Sequence, residues 1–206
     1  MQGLLLKDFY LIKKYCRVLV LAIIIFLGVA FLQKDNTFFL FYPAIMAGLL
    51  PMTLYSYDER EKWNAYSAAL PYTRVQLVSA KYLVGLFATL SIVGIVAVLQ
   101  AVFQMNTGAF VLQEYIFTLA VMLILGLFGS SLLMPFVFKL GAEKGRIVYY
   151  IVLILCFLLG AIVGDSDTKS LWLGNNLGFG IIFIGILGFY GISWLLSIAF
   201  YQRREL

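Results

Sequence analysis

Apolar runs about as long as a bilayer is thick, separated by short charged segments, dominate this chain. A hydrocarbon core of ~30 Å needs about 20 apolar residues per helix, with ~17 tolerated. Six stretches fit: 18–33, 37–55, 82–104, 115–138, 147–164 and 177–201. The first is short, but Arg17 and Lys34 at its ends can reach to the interface. Pro43 and Pro51 in the second, and Pro135 in the fourth, are expected to kink or end their helices. The outer loop Asp165–Asn176, with its turn-forming Gly174-Asn175-Asn176, is short.

Two further segments follow a helical period without being apolar enough to span. In residues 1–17, Leu5, Phe9, Ile12 and Cys16 recur at i, i+4, i+7 and i+11, while Lys7, Lys13, Lys14 and Arg17 lie mostly off that stripe. That is the pattern of an amphipathic helix lying in the membrane interface. The second segment is the longest connection, between spans two and three. Asp58, Glu59 and Glu61 suit a helix N-terminus, Trp63, Tyr66 and Leu70 form a stripe, and Pro71 follows. A helix over 57–70, parallel to the membrane, is expected there, with its Trp as an anchor for a cytoplasmic partner.

Composition agrees with the pattern. Of 206 residues, 63% are hydrophobic and 12% charged, where a soluble domain carries about 25% charged. Mean hydropathy is +0.99. The expected fold is therefore an all-α integral membrane protein, a single domain over 1–206. The net charge is +5, from 15 Lys plus Arg against 10 Asp plus Glu. Its distribution carries more information than its sum. Alternating loops place Lys7, Lys13, Lys14, Arg17, Arg60, Lys62, Arg74, Lys81, Lys139, Lys144, Arg146, Arg203 and Arg204 on one side, and only Lys34 and Lys169 on the other. Cytoplasmic loops collect Lys and Arg, so both termini are expected in the cytoplasm of a cell-membrane protein.

Several chemistries fall away. There is no His, which excludes His-ligated metal sites and Ser-His or Cys-His catalysis. Cys16 and Cys156 sit in or beside apolar runs and read as small buried hydrophobes. No charge lies in the middle of a span. The deepest polar residues are Ser91, Gln100, Gln104, Ser130, Ser131 and Ser193, which disfavours an ion-coupled carrier. Glu143-Lys144-Gly145-Arg146 does not make a phosphate-cradling P-loop, and Gly178-x-Gly180 lies inside an apolar run. Gly185, Gly188 and Gly191, and Gly126 with Ser130, allow close helix contact, within the chain or between subunits.

The start, LLLKDFYLIKKY, and the connection, DEREKWNAYSAALPYTRVQLVSAKYL, resemble the permease subunits of ABC-2-type exporters of Gram-positive bacteria. The resemblance is closest to permeases of phenol-soluble-modulin and related peptide exporters. It covers the order of elements from end to end, but its specific words are confined to those two strings. It implies an interfacial helix, six spans, and a coupling helix between spans two and three that docks on a separately encoded ATPase. On that reading the chain is no enzyme and holds no cofactor; ATP and Mg belong to the partner. Two ATPase copies and a second permease copy would complete the assembly, moving an amphipathic or hydrophobic cargo, with a peptide favoured and no nucleic acid involved. Docking would fall on Asp58, Glu59, Arg60, Lys62 and Trp63, supported by Arg74 and Lys81. Two other classes stay open: a membrane enzyme acting on lipid headgroups, with Mg²⁺ on Asp58, Glu59 and Glu61, and a non-transporting immunity or sensor-associated protein.

Overall fold

The computed structural model describes residues 2–15, 17–32, 38–67, 69–107, 111–148, 150, 151, 154 and 176–203. Cys16, Cys156, the loop residues 165–175 and most of the expected fifth span lie outside these. The chain folds into α1 (Gln2–Tyr15), α2 (Arg17–Leu32), α3 (Phe38–Arg60), α4 (Trp63–Ser67), α5 (Arg74–Thr107), α6 (Leu112–Leu140) and α7 (Asn176–Gln202), with residues 142–148 also helical. No strand occurs among the described residues. Among the described residues, four helical segments are long and apolar enough to cross a membrane: Phe39–Arg60, Arg74–Met105, Leu112–Leu140 and Phe183–Gln202. The apolar stretch of α2, Val20–Ala30, is shorter.

The helices overrun the apolar runs that announced them. Helix α5 has 34 residues, about 50 Å at ~1.5 Å per residue, well beyond the ~30 Å apolar core. It starts at Arg74 rather than near Tyr82 because Thr73 and Gln76 cap it reciprocally. Thr73 Oγ1 accepts the Gln76 amide at 3.2 Å, and Gln76 Oε1 accepts the Thr73 amide at 3.1 Å. Neither Pro43 nor Pro51 ends α3, and Pro135 lies inside α6. The segment expected as one helix over 57–70 is instead the last turn of α3, a break, and the five-residue α4. Lys62 makes that break with a left-handed φ of 55°, a conformation that turns the chain out of the helix.

Helix α6 packs most extensively against α3 and α7, α5 lies against α3, α6 and α7, and α2 flanks α3. In lipid no hydrophobic force draws helices together, so close approach and hydrogen bonds must hold them. Both are present. A Cβ on Gly48 would overlap the Gly126 carbonyl, and one on Gly126 would fall 2.5 Å from Thr89. The Ser130 hydroxyl crosses the same contact to the Gly48 carbonyl at 2.7 Å. Between α5, α6 and α7, Ser193 donates to the Ser131 carbonyl. The Tyr82 hydroxyl must then donate to Ser193 and accept from Ser197, each at 2.7 Å. Tyr190 donates to the Tyr82 carbonyl at 2.7 Å. By contrast Gly185, Gly188 and Gly191 have open space beside them, so they do not serve packing within the described chain.

One end of the bundle gathers charge. The C-terminus of α7 lies there, its Tyr201 and Gln202 carbonyls accepting from Arg74 at 3.3 and 2.7 Å. The C-terminus of α6 does too, because the Glu59 carboxylate accepts the Ala142 amide at 2.7 Å. Both contacts satisfy helix ends that would otherwise be left open.

The Gly48–Gly126 contact gives a first prediction. Gly126→Val should force α3 and α6 apart and cost about 1–3 kcal/mol of stability, whereas Gly188→Val should cost none. Thermal unfolding of the purified variants in detergent checks this; equal melting temperatures for both would contradict the packing described.

Candidate functional site

Asp8 is the one acid on α1, a helix otherwise apolar and basic. It points inward, and Lys81 of α5 lies 2.7 Å from its Oδ1 and 2.6 Å from Oδ2 of Asp58 on α3. Lys7 closes the group, 2.7 Å from Asp58 Oδ1 and 3.4 Å from Asp8 Oδ1. Asp8, Asp58 and Lys81 are 1%, 4% and 5% exposed. Two carboxylates and two ammonium groups from three helices thus neutralise one another where water is scarce. A buried charge without such partners would cost several kcal/mol. Leu4, Tyr55, Leu77, Phe138 and Tyr201 wall a cavity of about 20 Å³ beside the cluster, enough for one water.

The cluster reaches the connection through Lys7, whose ammonium lies 4.2 Å from the centre of the Trp63 ring. Trp63 in turn meets Tyr66, ring centres 5.4 Å apart. The residues expected to dock a partner therefore separate. Arg60, Glu61 and Lys62 are exposed, and so is Tyr66 at 61%. Asp58 and Lys81 belong to the buried cluster and are not on that surface. Trp63 is half-buried, with Lys7 over its ring. Glu59 holds the Ala142 amide, and Arg74 holds the end of α7.

The interfacial stripe is also rotated. Leu4 is buried, and Leu5, Leu11 and Ile12 pack on Leu50, Leu54 and Val84. With Asp8 they form the face that meets the protein. Phe9, Leu6 and Tyr10 are exposed on the other side, with Lys13 and Lys14. Arg17 Nε donates to the Lys13 carbonyl at 3.0 Å. Phe9 therefore does not share a buried face with Leu5 and Ile12. The stripe covers parts of two apolar surfaces, one toward the protein and one away from it.

This arrangement ties α1, α3 and α5 together through their charges. Asp58 is held by two lysines and Glu59 by a backbone amide, so the acids that could have held Mg²⁺ do not converge. No group of three His, Cys, Asp or Glu is placed to hold a metal among the described residues. The residue that sequence reasoning missed is Asp8. Its signal was a solitary acid on a basic, apolar helix, a position that calls for a buried cation.

Lys81→Met should strand two carboxylates on Lys7 alone and cost about 3–5 kcal/mol. Adding Asp58→Asn should recover a large part of that loss, since it removes the uncompensated charge. Unfolding of the purified single and double variants measures this; strictly additive losses would mean that the two residues do not interact.

Residues 3–202 match the model of a family described as ABC-2 family transporter protein. No curated protein and no solved structure matches the chain. The match runs through every element above, from α1 with Asp8 to α7 with Tyr201. With its long apolar helices, the chain is a membrane protein and belongs to the ABC-2 transporter family, whose members are transporter membrane subunits that pair with an ABC ATPase.

Proposed function

We propose that this chain is the permease of an ATP-driven exporter, with the charged end of the bundle in the cytoplasm and both termini on that side. Six crossings follow from counting α2, α3, α5, α6 and α7 together with the span expected over 147–164. Two copies would enclose a route that one bundle of this size does not. The apolar spans suit an amphipathic cargo, a peptide like those of the phenol-soluble-modulin exporters that the sequence resembles. ATP and Mg would be handled by two copies of the partner ATPase.

The observation that carries the coupling part of this reading is the break at Lys62. It leaves α4 as a short projection beyond α3, bearing exposed Tyr66 beside exposed Arg60, Glu61 and Lys62. An aromatic among charges is a surface that a protein partner can anchor on. Behind it, Trp63 rests under Lys7, and Lys7 belongs to the buried cluster. Movement imposed on α4 would therefore reach α1, α3 and α5 together. Arg60, Lys62 and Tyr66 are the docking residues in this reading; Asp58, Lys81 and Trp63 stand behind them as positioning residues.

Tyr66→Ala tests the docking surface directly. It should weaken the ATPase by about thirtyfold, roughly 2 kcal/mol, with expression and membrane insertion unchanged. Pull-down of the co-expressed ATPase, with export assayed in parallel, measures the effect. Undiminished pull-down and export for both Tyr66→Ala and Arg60→Glu would remove the docking role from this segment.

A further inference from the structure

A groove of about 690 Å³ runs between the end of α3 and the turn that follows α6. It is separate from the buried cluster and lies on another side of α3 from Trp63. Arg60, Lys144 and Arg146 line it, together with Ser56, Glu59 and Glu143. All three cations are exposed, and none has an ion-pair partner among the described residues. Glu59, which shares the groove, has one carboxylate oxygen turned to the Ala142 amide at 2.7 Å. Gly141 makes that possible, because at φ +89° it carries no Cβ, and one placed there would fall 2.9 Å from the Glu59 carboxylate. Three cations against two acids leave the groove with a net positive charge.

The helical residues past the groove explain what the charge is for. Ile147, Tyr150, Ile151 and Ile154 recur at i, i+3, i+4 and i+7, and all are 56–60% exposed. Residues at that spacing share one face of a helix, and Glu143, which lines the groove, continues the same face one turn back. A cationic basin at the membrane surface therefore opens onto an apolar strip running into the bilayer. A soluble phosphate would use only the basin, and a cytoplasmic protein would not reach the strip.

We propose that this groove binds an anionic phospholipid of the leaflet at the charged end. Lys144 and Arg146 take its phosphate, Ser56 donates to the headgroup, and the face of Ile147, Tyr150, Ile151 and Ile154 holds its acyl chains. Basic basins at helix ends on that side of a membrane are suited to such headgroups. The site needs only membrane placement, and it stands whether or not α4 docks an ATPase.

The test is native mass spectrometry of the purified full chain titrated with phosphatidylglycerol or phosphatidylcholine. Wild type should retain phosphatidylglycerol in preference. Lys144→Gln with Arg146→Gln should lower its affinity by roughly twenty- to thirtyfold, taking about 1 kcal/mol per cation near the surface. The conservative pair Lys144→Arg with Arg146→Lys should restore it. Lys13→Gln with Lys14→Gln removes the same charge from α1 and should change retention less than about twofold. Equal loss in that α1 variant would overturn the proposal, leaving only diffuse attraction. Displacement by excess sn-glycerol 3-phosphate would make the groove a soluble-phosphate site. Undiminished lipid retention with lost ATPase pull-down in the Lys144/Arg146 variant would make it a protein contact.

Discussion

Four charges in a place with almost no water hold the charged end of this protein together. Lys81 lies within 2.7 Å of both Asp8 and Asp58, and Lys7 completes the balance. Each carboxylate has two cations, and each cation two carboxylates, so withdrawing α3 or α5 leaves an unpaired charge, and withdrawing α1 takes one partner from both Asp58 and Lys81. That penalty is large compared with the van der Waals terms that hold helices together in lipid. It fixes α1 against α3 and α5, orients α1 with Phe9 outward, and leaves Lys7 to cover Trp63. The rest of the bundle is held differently, by the Gly48–Gly126 approach and by the hydroxyl chain through Tyr82, Ser193 and Ser131.

The division has a mechanical meaning for a transporter subunit. Hydroxyl bonds and close glycine contacts lie along the spans. The ion-pair cluster lies at the end that, in the proposed reading, meets the ATPase. A short α4 set off by the left-handed Lys62 can be gripped from outside, while the charge cluster behind it ties three helices into one body.

Much of this was legible in the pattern of residues. Bilayer-length apolar runs gave the helix order, and α6 and α7 agree with it within a few residues. The start of α5 was eight residues off because hydropathy marks where lipid begins, not where a helix begins; the Thr73–Gln76 capping pair was the available signal. The connection was read as one helix because its stripe is periodic, yet a left-handed residue such as Lys62 leaves no mark in a period. The triplet Gly185, Gly188, Gly191 allows packing within the chain or between subunits, because small residues show only that approach is possible, not from which side. Asp58 and Lys81 read as surface charges because they lie in a charged connection between two apolar runs. Their burial depends on α1: Asp58 pairs with Lys7, 51 positions away, and Lys81 with Asp8, 73 away, and a pairing at that separation has no local signature.

In the proposed reading α1 and α4 move as one body, because Lys7, held by the cluster, also lies over Trp63. Spin labels at Lys13 and Lys62, in the permease–ATPase complex, measure that distance directly by pulsed electron resonance. One narrow distance is expected, unchanged when ATP and Mg are added and broadened in Lys81→Met. A wild-type distance that shifts with ATP, or a Lys81→Met distribution identical to wild type, would contradict it.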